Sequence, residues 1–211
     1  AVDALHQDGF ALVRSVVDGS ALREQVKVYE ETVIPRKADL EVRRETGVSG
    51  RIVHVMNMYE TAPLARVAAN PKLVKLASAC LGGSGVRPIM NPELFDKPPG
   101  GNNSTVTNPH QDNFYFEAPD PGSVIAMWIS LDDVSSASGT LRYVSGSHLH
   151  GLRLHTLAEE CIIENSGNLQ PAVGPTGFKR HIRDLSNPDV SLEKTAGRLQ
   201  PGDVVIHHGL T

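Results

Sequence analysis

"NPHQDNFYF", residues 108–116, sets a histidine and an aspartate two positions apart in a run of strand-forming residues. Along an extended strand, residues i and i+2 leave the backbone on the same side. His110 and Asp112 therefore project together, and Gln111 faces the other way. One imidazole and one carboxylate on a shared face can bind a divalent metal as neighbouring ligands. A further histidine from a distant strand would complete a facial 2-His-1-carboxylate triad, which leaves open positions on Fe(II). The tripeptide H-x-D is short, and a solvated His/Asp pair at a strand end is the competing reading. Late in the chain, "GDVVIHH" (202–208) supplies histidines on just such an apolar strand.

Outward from this stretch, the texture of the second half is uniform. "VRPIMNPELFDK" (86–97), "SVIAMWISL" (123–131), "GTLRYVSG" (139–146) and "GRLQPGDVVIHH" (197–208) are short runs rich in β-branched and aromatic residues. Gly, Pro, Asn and Asp separate them, as in a sandwich or barrel. Residues 152–195 interrupt the series with a polar, weakly patterned stretch that reads as an insertion. The first 85 residues read as largely helical. Asp8-Gly9 marks a turn before a short strand. An amphipathic helix then runs from about Ser20 with Leu22, Val26, Tyr29 and Val33 at helical spacing, ended by Pro35. A second helical region covers 62–81, with Asn70 as cap, Pro71 in the first turn and Gly82-Gly83 at its close. The expectation is one domain over 1–211: helices to about residue 85, packed outside an antiparallel jelly-roll core over 86–211.

The bulk properties narrow the function classes. The chain has 211 residues, enough for a single core. Net charge is −4, which leaves no basic footprint for nucleic acid. No apolar stretch approaches the roughly 20 residues of a membrane-spanning helix. Cys80 and Cys161 are isolated, as in a reduced, cytoplasmic protein.

With "HQDNFYF" as its centre, the chain resembles the phytanoyl-CoA dioxygenase family of Fe(II)- and 2-oxoglutarate-dependent oxygenases. The other matching pieces are "KPPG" (97–100), Trp128 in "AMWISLDDV", "SGTLRYVSGSH" (138–148) and "QPGDVVIHHG" (200–209). "DGFALVRSVV" (8–17) looks like the family's opening. The resemblance implies a double-stranded β-helix of cupin-like type and the cofactors Fe(II), 2-oxoglutarate and O2. It implies that His110 and Asp112 are metal ligands and that Trp128 lies against the 2-oxoglutarate. Glu93 falls where the family places a cosubstrate contact, although a glutamate facing a dianion would be repulsive unless protonated or turned away. His54 or Asn57 falls at an earlier cosubstrate contact. Gly146 and His148 look like the family's turn after a central strand.

The third ligand is expected outside these residues. By the family's spacing it lies two positions past Thr211, in a domain end that looks missing here, with a 2-oxoglutarate-binding arginine about ten residues further on. His208 would then be a neighbour on the same strand, and His207 is expected to face the opposite side. Either is a less favoured substitute as ligand.

The resulting expectation is hydroxylation of an unactivated C–H bond in a small organic substrate. Halogenation, which needs the carboxylate ligand to be absent, is disfavoured by Asp112. A catalytically silent binding protein on the same scaffold, or a cupin-like metalloenzyme without cosubstrate, would be the other classes. Substrate identity and oligomeric state have no signature in the sequence.

Overall fold

In the computed structural model the described residues are 1–32, 42–44, 52–55, 67–83, 85–89, 93–96, 109–116, 118, 120–157, 180–182 and 193–211. The strand that organises them is the "VVIHH" run. Strand β1 (Phe10–Val13), strand β5 (Ile125–Ile129) and strand β10 (Val204–His208) form one antiparallel sheet with β10 in the middle. Val204, Val205 and Ile206 are fully buried, which is why this strand reads as a continuous apolar run instead of an alternating one. Val204 and Ile206 pack on one side against Leu5, Val17, Leu22 and Leu73. Val205 packs on the other against Tyr143, Ala196, Leu199 and Trp128. Each such aliphatic side chain contributes roughly 1.5–3 kcal/mol by leaving water.

Helices cover the first of these faces. Helix α1 (Val2–Asp8) ends at Gly9, which takes a left-handed conformation (φ 83°) and donates its N–H to the Leu5 carbonyl. Helix α2 (Gly19–Thr32) follows β1, and helix α3 (Pro71–Cys80) is capped by the Asn70 side chain accepting from Lys72 N–H at 2.9 Å. Cys80 is buried and unpaired, and Cys161 lies outside the described residues. Among the described residues no helix is long and apolar enough to cross a membrane.

Three smaller antiparallel sheets complete the described structure. Strands β2 (Val42–Arg44), β3 (Ile52–Val55) and β4 (Glu93–Asp96) form one, so the first 85 residues carry more strand than the helical reading of the sequence implied. Strands β6 (Arg142–Val144) and β9 (Glu193–Thr195) pair, as do β7 (His155–Leu157) and β8 (Arg180–Ile182). Three of these strands fall within 152–195, read from sequence as an insertion. Three residues each are too few to leave a pattern.

Two anchors fix the entry to β10. Gly202 has φ +92°, and a Cβ there would sit 2.1 Å from the Val17 carbonyl oxygen. Its own carbonyl accepts from the N–H groups of Val16 and Val17. Asp203, almost wholly buried, accepts from Arg14 at 2.6 Å and from the N–H groups of Ser15 and Gln200 at 2.9 Å each. These bonds tie the start of β10 to the end of β1.

Candidate metal centre

The segment carrying His110 and Asp112 is not a strand. Residues 109–112 run as irregular backbone into a single helical turn, α4 (Asn113–Phe116), in which Phe114 N–H donates to the Gln111 carbonyl and the Tyr115 and Phe116 N–H groups to that of Asp112. The strand expected from the sequence is overridden by Gln111. Its backbone N–H donates to His155 Nε2 at 3.0 Å. Its side-chain amide donates to the carbonyls of Gly151 (3.0 Å) and Leu210 (2.5 Å), and accepts from Arg153 N–H at 2.7 Å. All of this capacity is spent inside the protein, where Gln111 is 1 % exposed. Asn113 N–H adds a bond to the Gly209 carbonyl at 2.8 Å, so the segment is stapled to the end of β10.

That staple aims the two flanking side chains away from Gln111 and toward each other. His110 Nε2 lies 3.3 Å from Asp112 Oδ1, both side chains being 21 % exposed and so reachable from outside. Across the gap, His207 Nε2 lies 2.9 Å from the other oxygen, Asp112 Oδ2, and its Nδ1 lies 2.9 Å from the Tyr143 hydroxyl. Tyr143 stacks on Phe10 with ring centroids 4.5 Å apart.

Contrary to the expectation from sequence, His207 turns toward Asp112. In the β1–β10–β5 sheet His207 pairs with Phe10 and Ala126, and Val205 with Leu12 and Trp128. Paired residues share a face, so Phe10, Leu12, Trp128, Val205 and His207 all lie on the Tyr143 side. The phase is set by Val205 packing on Tyr143, and His207 follows it two residues on. His208 takes the opposite face. There its ring lies 5.3 Å from that of His148, and its Nδ1 accepts from Leu210 N–H at 3.1 Å. Burial, together with His148, lowers its pKa, so His208 stays neutral. His148 itself donates through Nε2 to the His6 carbonyl, 3.0 Å away, which requires the Nε2–H tautomer. Neither ring belongs to the Asp112 cluster.

Burial alone would push the Asp112 carboxyl up, but the hydrogen bonds from His110 and His207 outweigh it and hold the group well below the usual carboxylate range. Asp112 is therefore an anion at neutral pH. The Tyr143 hydroxyl is driven the opposite way, first by burial and then by the nearby Asp112 charge, and remains protonated.

Two ligands at about 2.1 Å from one octahedral ion and at right angles lie roughly 3 Å apart. The His110–Asp112 separation of 3.3 Å suits that arrangement, and the donor set of one imidazole and one ionised carboxylate suits a divalent transition metal. His207 approaches the opposite oxygen. Among the described residues no three His, Cys, Asp or Glu side chains form a ready cluster for a metal ion. Trp128 lies on the His207 face of the sheet. Of Glu93 and His54 the register alone is described: Glu93 pairs with Val55 and His54 with Leu94. Asn57 lies outside the described residues. Tyr143 and Gln111 went unrecognised in the sequence as parts of the site. The pairing of Val205 with Trp128, which puts His207 on this face, is set by the register of the sheet, and nothing local marks Gln111.

The comparisons with known proteins support a non-haem oxygenase-type fold. The phytanoyl-CoA dioxygenase (PhyH) family model matches residues 5–211, and the chain belongs to that family. Phytanoyl-CoA dioxygenase domain-containing protein 1 of Danio rerio is 28% identical over 125 residues, 59% of this chain and 40% of that protein. This chain spans less than half the length of the curated relatives it matches. Among solved structures, the epimerase SnoN in complex with Fe3+, alpha ketoglutarate and nogalamycin RO superposes with a TM-score of 0.67. It is 22% identical, with 99% of this chain and 73% of that chain covered. The alpha ketoglutarate-dependent carbocyclase SnoK gives a TM-score of 0.66 at 18% identity, covering 100% and 74%.

Proposed function

We propose that the chain is an Fe(II)- and 2-oxoglutarate-dependent dioxygenase that hydroxylates an unactivated C–H bond of a small organic substrate. The observation that carries this reading is the His110–Asp112 pair, an imidazole set 3.3 Å from a carboxylate that stays ionised. His110 and Asp112 are two ligands, and a further histidine is the third. Trp128 lines the 2-oxoglutarate, with Glu93 and His54 as further cosubstrate contacts, on a core closed as a jelly roll. The protein acts in the cytoplasm on a small molecule and not on nucleic acid or membrane.

When bound, Fe(II) with 2-oxoglutarate supplies the oxidising power to break a strong C–H bond at the expense of O2, releasing succinate and CO2. The chain's own share is positional. Asp112 offers a fixed negative charge, the Gln111 staple holds both ligands in register, and the Phe10–Tyr143–Trp128 wall excludes water from one side. Asp112 also speaks against halogenation, which needs its place on the metal. SnoN and SnoK are named as an epimerase and a carbocyclase, so stereochemical inversion or ring closure is the second reading.

Succinate release that depends on 2-oxoglutarate and Fe(II), assayed on the full-length polypeptide, tests the class. Asp112→Ala and His110→Ala should each abolish it, and undiminished release in either variant would sink the assignment. Product mass after reaction under ¹⁸O2 separates the two chemistries. A gain of one labelled oxygen marks hydroxylation, and an unlabelled product marks inversion or ring closure.

A further inference from the structure

We propose that His207 is a positioning residue: anchored by Tyr143, it holds the second oxygen of Asp112 so that Oδ1 alone is presented to a metal beside His110. The inference rests on the metal reading above and adds to it a residue outside the ligand set.

The geometry is a chain of two hydrogen bonds, Tyr143 Oη to His207 Nδ1 and His207 Nε2 to Asp112 Oδ2, each 2.9 Å. Asp112 Oδ2, on an ionised carboxylate, can only accept, so Nε2 is the donating nitrogen and Nδ1 of the neutral ring accepts from the Tyr143 hydroxyl. Both ends of the relay are held by packing and strand pairing. Tyr143 is 8% exposed and stacked on Phe10, and His207 sits on β10 between two paired strands. Direction separates His207 from a ligand, because its nitrogen is spent on Oδ2 whereas His110 meets Oδ1. A carboxylate with both oxygens free can rotate between one- and two-oxygen coordination. Fixing one of them on a rigid donor selects the one-oxygen mode that a facial triad uses.

The test is Mn(II) binding to the full-length polypeptide by calorimetry, with Co(II) absorption reporting the ligand set. Loss of an outer-shell partner of a metal ligand weakens metal binding by about 10–100-fold, and that is the loss expected for His207→Leu. In His207→Gln the amide nitrogen stands near the position of Nε2 and can donate to Oδ2. It should bind within about threefold of wild type, well short of that outer-shell loss, and keep the wild-type Co(II) spectrum. Tyr143→Phe, which frees the imidazole but leaves it in place, should fall between the two. A His207→Gln protein that loses metal as fully as His110→Ala, or whose Co(II) spectrum changes, would make His207 a ligand and overturn the proposal. So would wild-type affinity in His207→Leu. If His207→Leu does not fold, the Gln and Phe variants carry the comparison. Absence of Mn(II) binding in wild type, or wild-type binding by His110→Ala, would instead remove the metal reading itself.

Discussion

The Gln111 side-chain amide donates to the Leu210 carbonyl at 2.5 Å, joining the segment that carries His110 and Asp112 to the end of the central strand. Gln111 faces away from the proposed metal, and its contribution is to set where its two neighbours point.

Gln111→Leu keeps the volume but removes every side-chain bond, leaving the Leu210 and Gly151 carbonyls and the Arg153 N–H without their partner. Unsatisfied buried groups cost about 1–3 kcal/mol each, and partial access of water to residues 151–153 places the expected total near 2–4 kcal/mol. In a domain of this size that lowers the melting temperature by roughly 5–15 °C. Thermal unfolding followed by circular dichroism measures it; a melting temperature within a degree or two of wild type would show that the staple is dispensable.

Gly202→Ala should destabilise for two separate reasons. The backbone there is left-handed, and the added methyl would stand 2.1 Å from the Val17 carbonyl, a backbone atom that cannot swing aside. Strain of this kind costs on the order of 1–3 kcal/mol, and displacement of the Val16 and Val17 bonds adds to it. Urea denaturation should show a lower midpoint. An unchanged midpoint would mean the β1–β10 junction can relax without loss.

Asp203 makes stability depend on pH in a predictable direction. Burial by itself would raise its pKa, but the N–H groups of Gln200 and Ser15 and the Arg14 guanidinium hold it below the ordinary carboxylate value. A carboxyl with a depressed folded-state pKa adds stability that is fully present above its unfolded pKa, near 3.9, and is lost as pH falls through the folded one. Asp203→Asn should therefore cost about 1–3 kcal/mol at neutral pH, and its deficit against wild type should shrink in acid. Denaturant midpoints of both proteins from pH 7 to pH 3 give the comparison. A deficit that stays constant or widens toward low pH would contradict this account.

Local chemistry made part of this molecule legible in its sequence. Asn70-Pro71 and Gly82-Gly83 bracket α3 because caps and stops act within a few residues, and the turn at Asp8-Gly9 is where α1 ends. The Val204–His208 run was readable as a strand from composition alone. The H-x-D segment was misread as a strand because Phe114, Tyr115 and Phe116 favour one, whereas bonds from Gln111 to His155, Gly151 and Leu210 decide otherwise. Those partners lie 40 to 99 residues away. The face taken by His207 was also out of reach, since the phase of β10 depends on which side Tyr143 packs. His110 and Asp112 do lie side by side, 3.3 Å apart, but not by the alternation of a strand. They converge because a turn and a buried glutamine aim them.

Strand β10 sits between β1 and β5, yet it is the last of the described strands in the chain. The bond from Arg14 to Asp203 closes a separation of 189 residues. A sheet assembled from such distant partners folds slowly, because the entropy of closing the loop is lost before any pairing rewards it. During synthesis β1 and β5 emerge with their inner edges bare and must wait for the strand that joins them. Unpaired edges of this kind invite pairing with other chains. The same central placement that buries Val204, Val205 and Ile206 thus puts the molecule's period of greatest exposure to aggregation before residue 204 leaves the ribosome.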